Sequence, residues 1–431
     1  MTPCPAAEAV EVIPSGPAAG ALAAPTSKSV TNRLLVLATL AAGTSVLHDP
    51  LVSDDSTVMR ETIGAFGAAV RISPEAWSVT GTGGVLRTPD RAVSAGLSGT
   101  TLRFVAGLAV LAPGGAVVTG APPLLRRPVG PLTAALAGLG ADVRDEGGYP
   151  PVVAAGGGLD GGRVTVDATA SSQFASAVLL VAPYARRDVH LAVRGAGAGG
   201  YVDLTAEVMR DWGAQVGREG TGAWRVTAGH GYTARDRRVE YDASAAAHLL
   251  ALAASTGGTV TVTNATAGTR QPDAALTDVL AAMGCTVTRE GDAVTVTGPA
   301  TLRPVDADLT AMPDQVTTVA VLAALADGVS TITGAAVTRG HETDRLAALA
   351  QELAKAGVAV AEQPDGLVVH GGGACGPASL ATHDDHRLAM AFASLGARVA
   401  GIVVEDPGCV AKTYPGFWDD LRVLGVQWRE R

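Results

Sequence analysis

Aromatic residues are scarce in this chain of 431: Phe, Trp and Tyr together make up 4% of it. That excludes an interior filled by large rings. The 47% hydrophobic content and 54 glycines instead suit close-packed helices of small side chains joined by many turns. Cysteine is also sparse. Cys4, Cys285, Cys375 and Cys409 lie far apart and form no C-x-x-C pair, which excludes a zinc knuckle or a disulfide frame and leaves free thiols in a reducing compartment. Positive charge is not in excess: the net charge of −9 argues against a nucleic-acid surface. Small anionic ligands stay open, because a local group of Lys and Arg can dominate a cleft. No apolar run approaches the ~20 residues of a membrane span. No basic residue precedes Lys28, so the patterns of a secretory signal and of a transit peptide are missing and a cytoplasmic location is expected. P-loop, H-E-x-x-H and nucleophile-elbow patterns are absent too.

The stretch Pro25-Thr26-Ser27-Lys28-Ser29-Val30-Thr31-Asn32-Arg33 leads into an apolar run, residues 34–42, closed by Gly43. Ser29 reads as the N-cap of a helix, with Lys28 just before it and Arg33 one turn in. Two cations, two hydroxyls and the positive end of a helix dipole would then meet at one spot, which suits a phosphate.

That start recurs. Ser29, Thr100, Ser171, Asp242, Asp314 and Asp385 are 71, 71, 71, 72 and 71 residues apart, and each introduces an Ala/Leu/Val run that is apolar nearly all round. Such runs are helices buried on every side. A short strand follows each, then a second helix ended by a glycine (Gly67, Gly140, Gly213, Gly284, Gly357, Gly425) and an alternating strand. The chain therefore reads as six copies of a helix–strand–helix–strand unit. The sixth copy is short by a strand, so the N-terminal strands at 9–13 and 20–22 are expected to complete the C-terminal half. This gives two domains, residues 25–240 and residues 1–24 with 241–431, and a cleft between them that closes by a hinge.

The starts of the first half carry Lys28, Ser29 and Arg33, then Ser98-Gly99-Thr100-Thr101 with Arg103, then Ser171-Ser172-Gln173. Those of the second half carry acids: Asp242, Asp314 and Asp384-Asp385-His386-Arg387. Capping explains Ser, Thr and Asp, but not Lys28, Arg33, His386 and Arg387, since cations oppose the dipole at a helix start. Loops add Arg126-Arg127-Pro128, residues 339–345 and residues 406–413. Together Lys28, Arg127, Arg345, Arg387 and Lys412 form a cationic set drawn from both halves. Asp314, Glu342 and His386 are the acid/base candidates. The combination suits joining two anionic substrates.

These motifs, in this order, resemble the 5-enolpyruvylshikimate-3-phosphate (EPSP) synthase family, the 3-phosphoshikimate 1-carboxyvinyltransferases. The points of likeness are Ser27-Lys28-Ser29-x-x-Asn32-Arg33, Ser53-Asp54-Asp55, Ser98-Gly99-Thr100-Thr101-x-Arg103, Arg127-Pro128 and Ser171-Ser172-Gln173-Phe174. Further along come Pro313-Asp314, Glu342-Thr343-Asp344-Arg345-Leu346, Asp385-His386-Arg387-x-Ala389-Met390 and Asp406-Pro407-x-Cys409-x-Ala411-Lys412-Thr413. The resemblance implies an α/β fold, a two-domain inverted α/β barrel built from six βαβαββ repeats, three per domain, with the active site in the interdomain cleft. It implies that shikimate 3-phosphate meets Ser29, Arg33, Ser171, Ser172 and Tyr201, with Asp314 from the second half. Phosphoenolpyruvate would lie against Lys28, Gly99, Arg127, Gln173, Arg345, Arg387 and Lys412, and Thr100 and His341 are further substrate-binding candidates. Asp314 is expected to deprotonate the 5-hydroxyl and Glu342 to move the methylene proton, with Lys28, His386 and Lys412 close to the chemistry. No metal, no organic cofactor and no nucleic-acid or membrane partner is implied. A monomer is implied, in which glyphosate competes with phosphoenolpyruvate.

Four positions depart from the family pattern. Thr26 stands where Gly is usual, Leu97 where Asn is, Ala198 where a phosphate-binding Ser is, and His341 where Lys is. The last replaces a fixed cation by a group with an ordinary pKa of about 6.5. The alternatives are a catalytically impaired or pathway-specialised paralogue binding a shikimate-type ligand, and the sister transferase acting on UDP-N-acetylglucosamine. The latter usually carries a reactive Cys before an Arg-Pro, whereas residues 122–128 here contain none.

Overall fold

A computed structural model of the chain describes Pro5 and residues 7–195 and 199–431. The expectations for Cys4 and Ala198 lie outside these residues. The chain divides into two compact units, Thr26–Val239 and Met1–Pro25 with Glu240–Arg431. Each unit holds three four-stranded sheets of one topology.

The second sheet shows the pattern. Val93–Ser94 pairs parallel with Ala116–Thr119, and helix Gly99–Leu111 makes the crossover between them. Helix Gly130–Gly138 follows, and the strands Asp142–Glu146 and Tyr149–Gly156 close the sheet as an antiparallel hairpin. The repeat is thus βαβαββ, one strand richer at each end than the helix–strand–helix–strand unit read from local pattern. The second hairpin strand escapes notice because the turn, here Gly147-Gly148, is only two residues long.

Chain ends and repeat ends do not coincide. In the N-terminal unit the leading strand of the first sheet is Asp236–Arg238, parallel to Thr44–His48. In the C-terminal unit Ala19–Leu22 leads the fourth sheet beside Thr259–Val262. Ala9–Ile13 lies between Ile402–Glu405 and Gln427–Glu430 in the sixth.

The first helix of each repeat is the core. Helix Lys28–Leu40 is buried from Val30 to Leu40, and Gly99–Leu111 from Gly99 to Val110. In the C-terminal unit helices Ala243–Thr256, Val316–Leu325 and His386–Gly396 pack pairwise. Helices this enveloped are apolar along most of their length, so polar chemistry gathers mainly at their ends. Among the described residues no helix is long and apolar enough to cross a membrane. Cys285, Cys375 and Cys409 are free thiols.

Candidate active site

In the N-terminal unit the first helix begins earlier than its sequence suggests. Ser27, extended and fully buried, is the N-cap: its Oγ accepts from the Val30 amide. Lys28 is therefore the first helical residue and Ser29 the second. A cation at that position opposes the dipole. Asp55, 4% exposed, offsets this, its Oδ2 lying 3.2 Å from Lys28 Nζ. Asp55 stands in the first turn of helix Asp54–Ala65, where a carboxylate is favoured. The motif Ser53-Asp54-Asp55 carries no local sign of this pairing.

Arg33 lies at 2% exposure and is committed to protein acceptors. Its Nη1 donates to the Ser29 carbonyl at 2.8 Å and its Nε to Thr205 Oγ1 at 2.8 Å, while Nη2 reaches the Tyr201 carbonyl at 3.3 Å. Its guanidinium also faces the rings of Phe104 and Tyr201. Burial lowers its pKa to about 10, which still leaves it charged at neutral pH. Arg33 thus fixes the backbone that presents Ser29 and Tyr201.

The second and third starts share a network. Ser98 caps helix Gly99–Leu111 by accepting from the Thr101 amide, two residues ahead of the expected Thr100. Arg103 Nη1 donates to Gln173 Oε1 at 2.7 Å, and Gln173 Nε2 donates to Thr100 Oγ1 at 3.1 Å. The Ser171 hydroxyl accepts from the Gln173 amide, while Ser172 holds the N-cap position without a side-chain capping bond. Gly99 lies directly under Arg127: a Cβ there would stand 2.9 Å from Nη1 and 3.1 Å from Cζ. Leu97 is 53% exposed beside this site.

The C-terminal unit gathers charges that are far apart in sequence. Arg345, 1% exposed, grips Asp385 through Nε (2.7 Å) and Nη2 (3.2 Å). The same guanidinium donates to Asp314 Oδ1 at 2.7 Å and Glu342 Oε2 at 3.0 Å. Arg387 Nη2 takes Asp314 Oδ2 at 3.0 Å, and Lys412 Nζ takes Glu342 Oε1 at 3.0 Å. Three cations and three carboxylates therefore interlock. Burial resists ionisation of Asp314, but Arg387 and Arg345 outweigh it and hold the carboxyl well below its ordinary 3.8. Burial likewise opposes the charge of Arg345, and Asp385, Asp314 and Glu342 overcome it, so its pKa is raised.

Asp314 is not the cap its place in the repeat suggests. It sits in a 3-10 turn, Pro313–Gln315, ahead of helix Val316–Leu325, which frees its carboxylate to face the arginines. Asp385 does cap helix His386–Gly396, accepting from the Arg387 amide at 2.9 Å, and holds Arg345 as well. His386 is 1% exposed, its Nδ1 3.9 Å from Asp385 Oδ1, beyond hydrogen-bond length. His341 Nδ1 lies 3.2 Å from both Asp314 Oδ1 and Arg345 Nη1. Burial lowers its pKa below 6.5 against the pull of Asp314, so the ring is mainly neutral at pH 7 and this position supplies no fixed cation.

A family model described as EPSP synthase (3-phosphoshikimate 1-carboxyvinyltransferase) matches residues 12–421. A 3-phosphoshikimate 1-carboxyvinyltransferase of Methanoculleus marisnigri is 41% identical over 421 residues, 97% of this chain and 99% of that protein. The chain belongs to the EPSP synthase family. Its counterpart in Syntrophobacter fumaroxidans is 41% identical over 407 residues, covering 94% of this chain and 96% of that one. Among solved structures, EPSP synthase of Acinetobacter baumannii superposes with a TM-score of 0.82 at 25% identity, over 98% of this chain and 99% of that one. The enolpyruvyl transferase NikO of Streptomyces tendae shares the fold, with a TM-score of 0.78 at 20% identity over 99% of each chain. The six βαβαββ sheets, three per unit, are those of the two-domain inverted α/β barrel of EPSP synthases.

Proposed function

We infer that this EPSP synthase family member transfers the enolpyruvyl group of phosphoenolpyruvate to the 5-hydroxyl of shikimate 3-phosphate, releasing phosphate, on the way to chorismate and the aromatic amino acids. The observation that carries the assignment is the interlocked set Asp314, Glu342, Arg345, Asp385, Arg387 and Lys412. It places two carboxylates suited to proton transfer beside three cations suited to carboxylate and phosphate charge.

The 5-hydroxyl adds to C2 of phosphoenolpyruvate while its methylene carbon takes a proton and becomes a methyl group. The tetrahedral adduct then loses phosphate from C2 and a proton from that methyl. Asp314, held ionised by its arginines, is the base for the hydroxyl. Glu342, paired with Lys412 and Arg345, moves the methylene proton, with Lys28 and His386 close to the same chemistry. Arg127, Arg345, Arg387 and Lys412 bear the anionic charge of phosphoenolpyruvate beside Gly99, Thr100 and Gln173. Ser29, Arg33, Ser171, Ser172 and Tyr201 serve shikimate 3-phosphate, Arg33 also bracing the Ser29 and Tyr201 backbone, with Asp314 and His341 from the second half. Residues 25–240 hold mainly shikimate 3-phosphate, and phosphoenolpyruvate draws on residues of both halves. The working form is a cytoplasmic monomer, and glyphosate competes with phosphoenolpyruvate.

Two variants probe this assignment. Gly99→Ala is expected to leave stability within about 1 kcal/mol, because the crowded atoms are the movable end of Arg127. It should raise KM for phosphoenolpyruvate roughly tenfold, a loss of about 1.4 kcal/mol, by displacing that guanidinium. His341→Lys is expected to retain most activity but to change its pH profile. A histidine whose folded pKa is lowered loses stability as pH falls from 6.5 through its folded value, and lysine removes that titration. An unchanged profile with unchanged affinity for shikimate 3-phosphate would count against the role of His341.

Phosphate release measured with each acceptor in turn tests the assignment as a whole. Release is expected with phosphoenolpyruvate plus shikimate 3-phosphate, and not with UDP-N-acetylglucosamine. Tight binding of both substrates with no release would point to the impaired paralogue. Release only with a modified shikimate would point to a specialised one.

A further inference from the structure

Behind the ion cluster lies a carboxylate that the mechanism does not use. Glu352 is fully buried in helix Arg345–Lys355, two turns beyond Arg345 on the same face. Its Oε2 accepts from the Ala381 amide at 2.8 Å and from Lys355 Nζ at 2.6 Å, and its Oε1 lies 3.0 Å from His383 Nε2. Burial opposes its charge, but these partners outweigh it and lower its pKa. The segment it grips is unusual. His383 and Asp384 are consecutive non-glycine residues at φ +52° and +59°, in the left-handed region that L side chains rarely adopt. The turn ends on Asp385, whose amide donates to the Thr382 carbonyl. Arg345 grips Asp385 at this last residue of the turn, and two residues further Arg387 meets Asp314. One helix therefore holds the 381–385 segment at two points, through Arg345 at its start and Glu352 two turns on.

We propose that Glu352 is a positioning residue, which holds the Ala381 amide and the His383 imidazole so that the left-handed turn at His383 and Asp384 aims Asp385 at Arg345 and Arg387 at Asp314. A buried carboxylate needs partners of this kind, and it finds two of them, the Ala381 amide and His383, in a segment whose backbone would otherwise favour another conformation. The consequence for turnover rests on the function inferred above; the brace itself does not.

Glu352→Gln keeps the shape of the side chain but presents an amide N–H where an acceptor is needed. Hydrogen exchange is expected to speed up about tenfold or more at the amides of residues 381–387, with the other core amides of the unit unchanged. KM for phosphoenolpyruvate should rise about tenfold, with kcat lowered less and the Kd of shikimate 3-phosphate alone unchanged. Asp384 is exposed, and glycine adopts its φ without a Cβ cost, so adding Asp384→Gly to Glu352→Gln should restore KM. A residue that merely supported the fold would lower the melting temperature without splitting KM from kcat, and Asp384→Gly would not rescue it. Unchanged exchange at 381–387 overturns the brace, and local loosening with unchanged KM overturns its role in positioning. If the unaltered protein releases no phosphate, the functional assignment falls while the exchange result still decides the brace.

Discussion

Arg345→Met is expected to cost about 3–5 kcal/mol of stability in addition to abolishing turnover, because it strips a buried cation from three carboxylates at once. Asp385 fares worst. It is fully buried, and it loses both the Nε and the Nη2 bond of the guanidinium, keeping the Arg387 amide. Asp314 retains Arg387, and Glu342 retains Lys412. For a unit of roughly 200 residues the melting temperature should fall by about 10 °C, measurable by calorimetry. The pH dependence gives the sign of the cause. Asp314 has a depressed folded pKa, so it contributes stability above its unfolded value of 3.8, lost as pH falls through the folded value. Without Arg345 that contribution shrinks, so the deficit of the variant should be largest at neutral pH and narrow as pH drops below 3.8. A deficit that does not narrow would assign the loss to packing. Arg345→Lys should not rescue, since one ammonium cannot span three carboxylates in fork geometry.

Lys28→Met is expected to do the reverse, removing activity while sparing the fold. Lys28 opens a helix whose dipole disfavours it, and its 14% exposed side chain pairs with Asp55 at 3.2 Å. Removing it relieves one unfavourable placement and leaves Asp55 in a helix first turn, so stability should change by about 1 kcal/mol or less. Turnover should fall by roughly a thousandfold, the scale of one lost preorganised charge at a developing anion. An equal fall in stability would make Lys28 structural. Asp55→Asn offers a control: it keeps the Lys28 side chain but holds it less well, at a smaller cost in turnover.

The repeat was legible because its punctuation is local. A capping hydroxyl or carboxylate, a run of small apolar residues and a glycine such as Gly357, at φ +85°, each act within a turn of chain. Where two residues could cap, the register slipped: Ser27 lies two residues before Ser29, and both are serines. Asp314 was misplaced as a cap since Pro313 converts that start into a 3-10 turn, a choice only neighbouring contacts reveal. Lys412, Glu342 and Arg345 were read as site residues from their motifs. That Arg345 grips Asp385, forty residues on, could not be read, because the pairing is made by two helices that meet only in the fold. Arg33 is the clearest limit. Its charge near a helix start suggests an anion contact, and the bonds that tertiary packing adds to Thr205 and to the Ser29 and Tyr201 carbonyls carry no local signal.

We propose that Glu342 delivers a proton to the phosphoenolpyruvate methylene, and that the methyl group so formed loses one of its three hydrogens as phosphate leaves. Running the reaction in heavy water and weighing the product tests this most directly. The methyl group of the adduct rotates before it loses a hydrogen, so most product molecules should carry solvent deuterium in the vinyl methylene, and Glu342→Gln should form that product at least about a hundredfold more slowly. Product free of deuterium, or formed by Glu342→Gln at the rate of the unaltered protein, would rule out this role of Glu342.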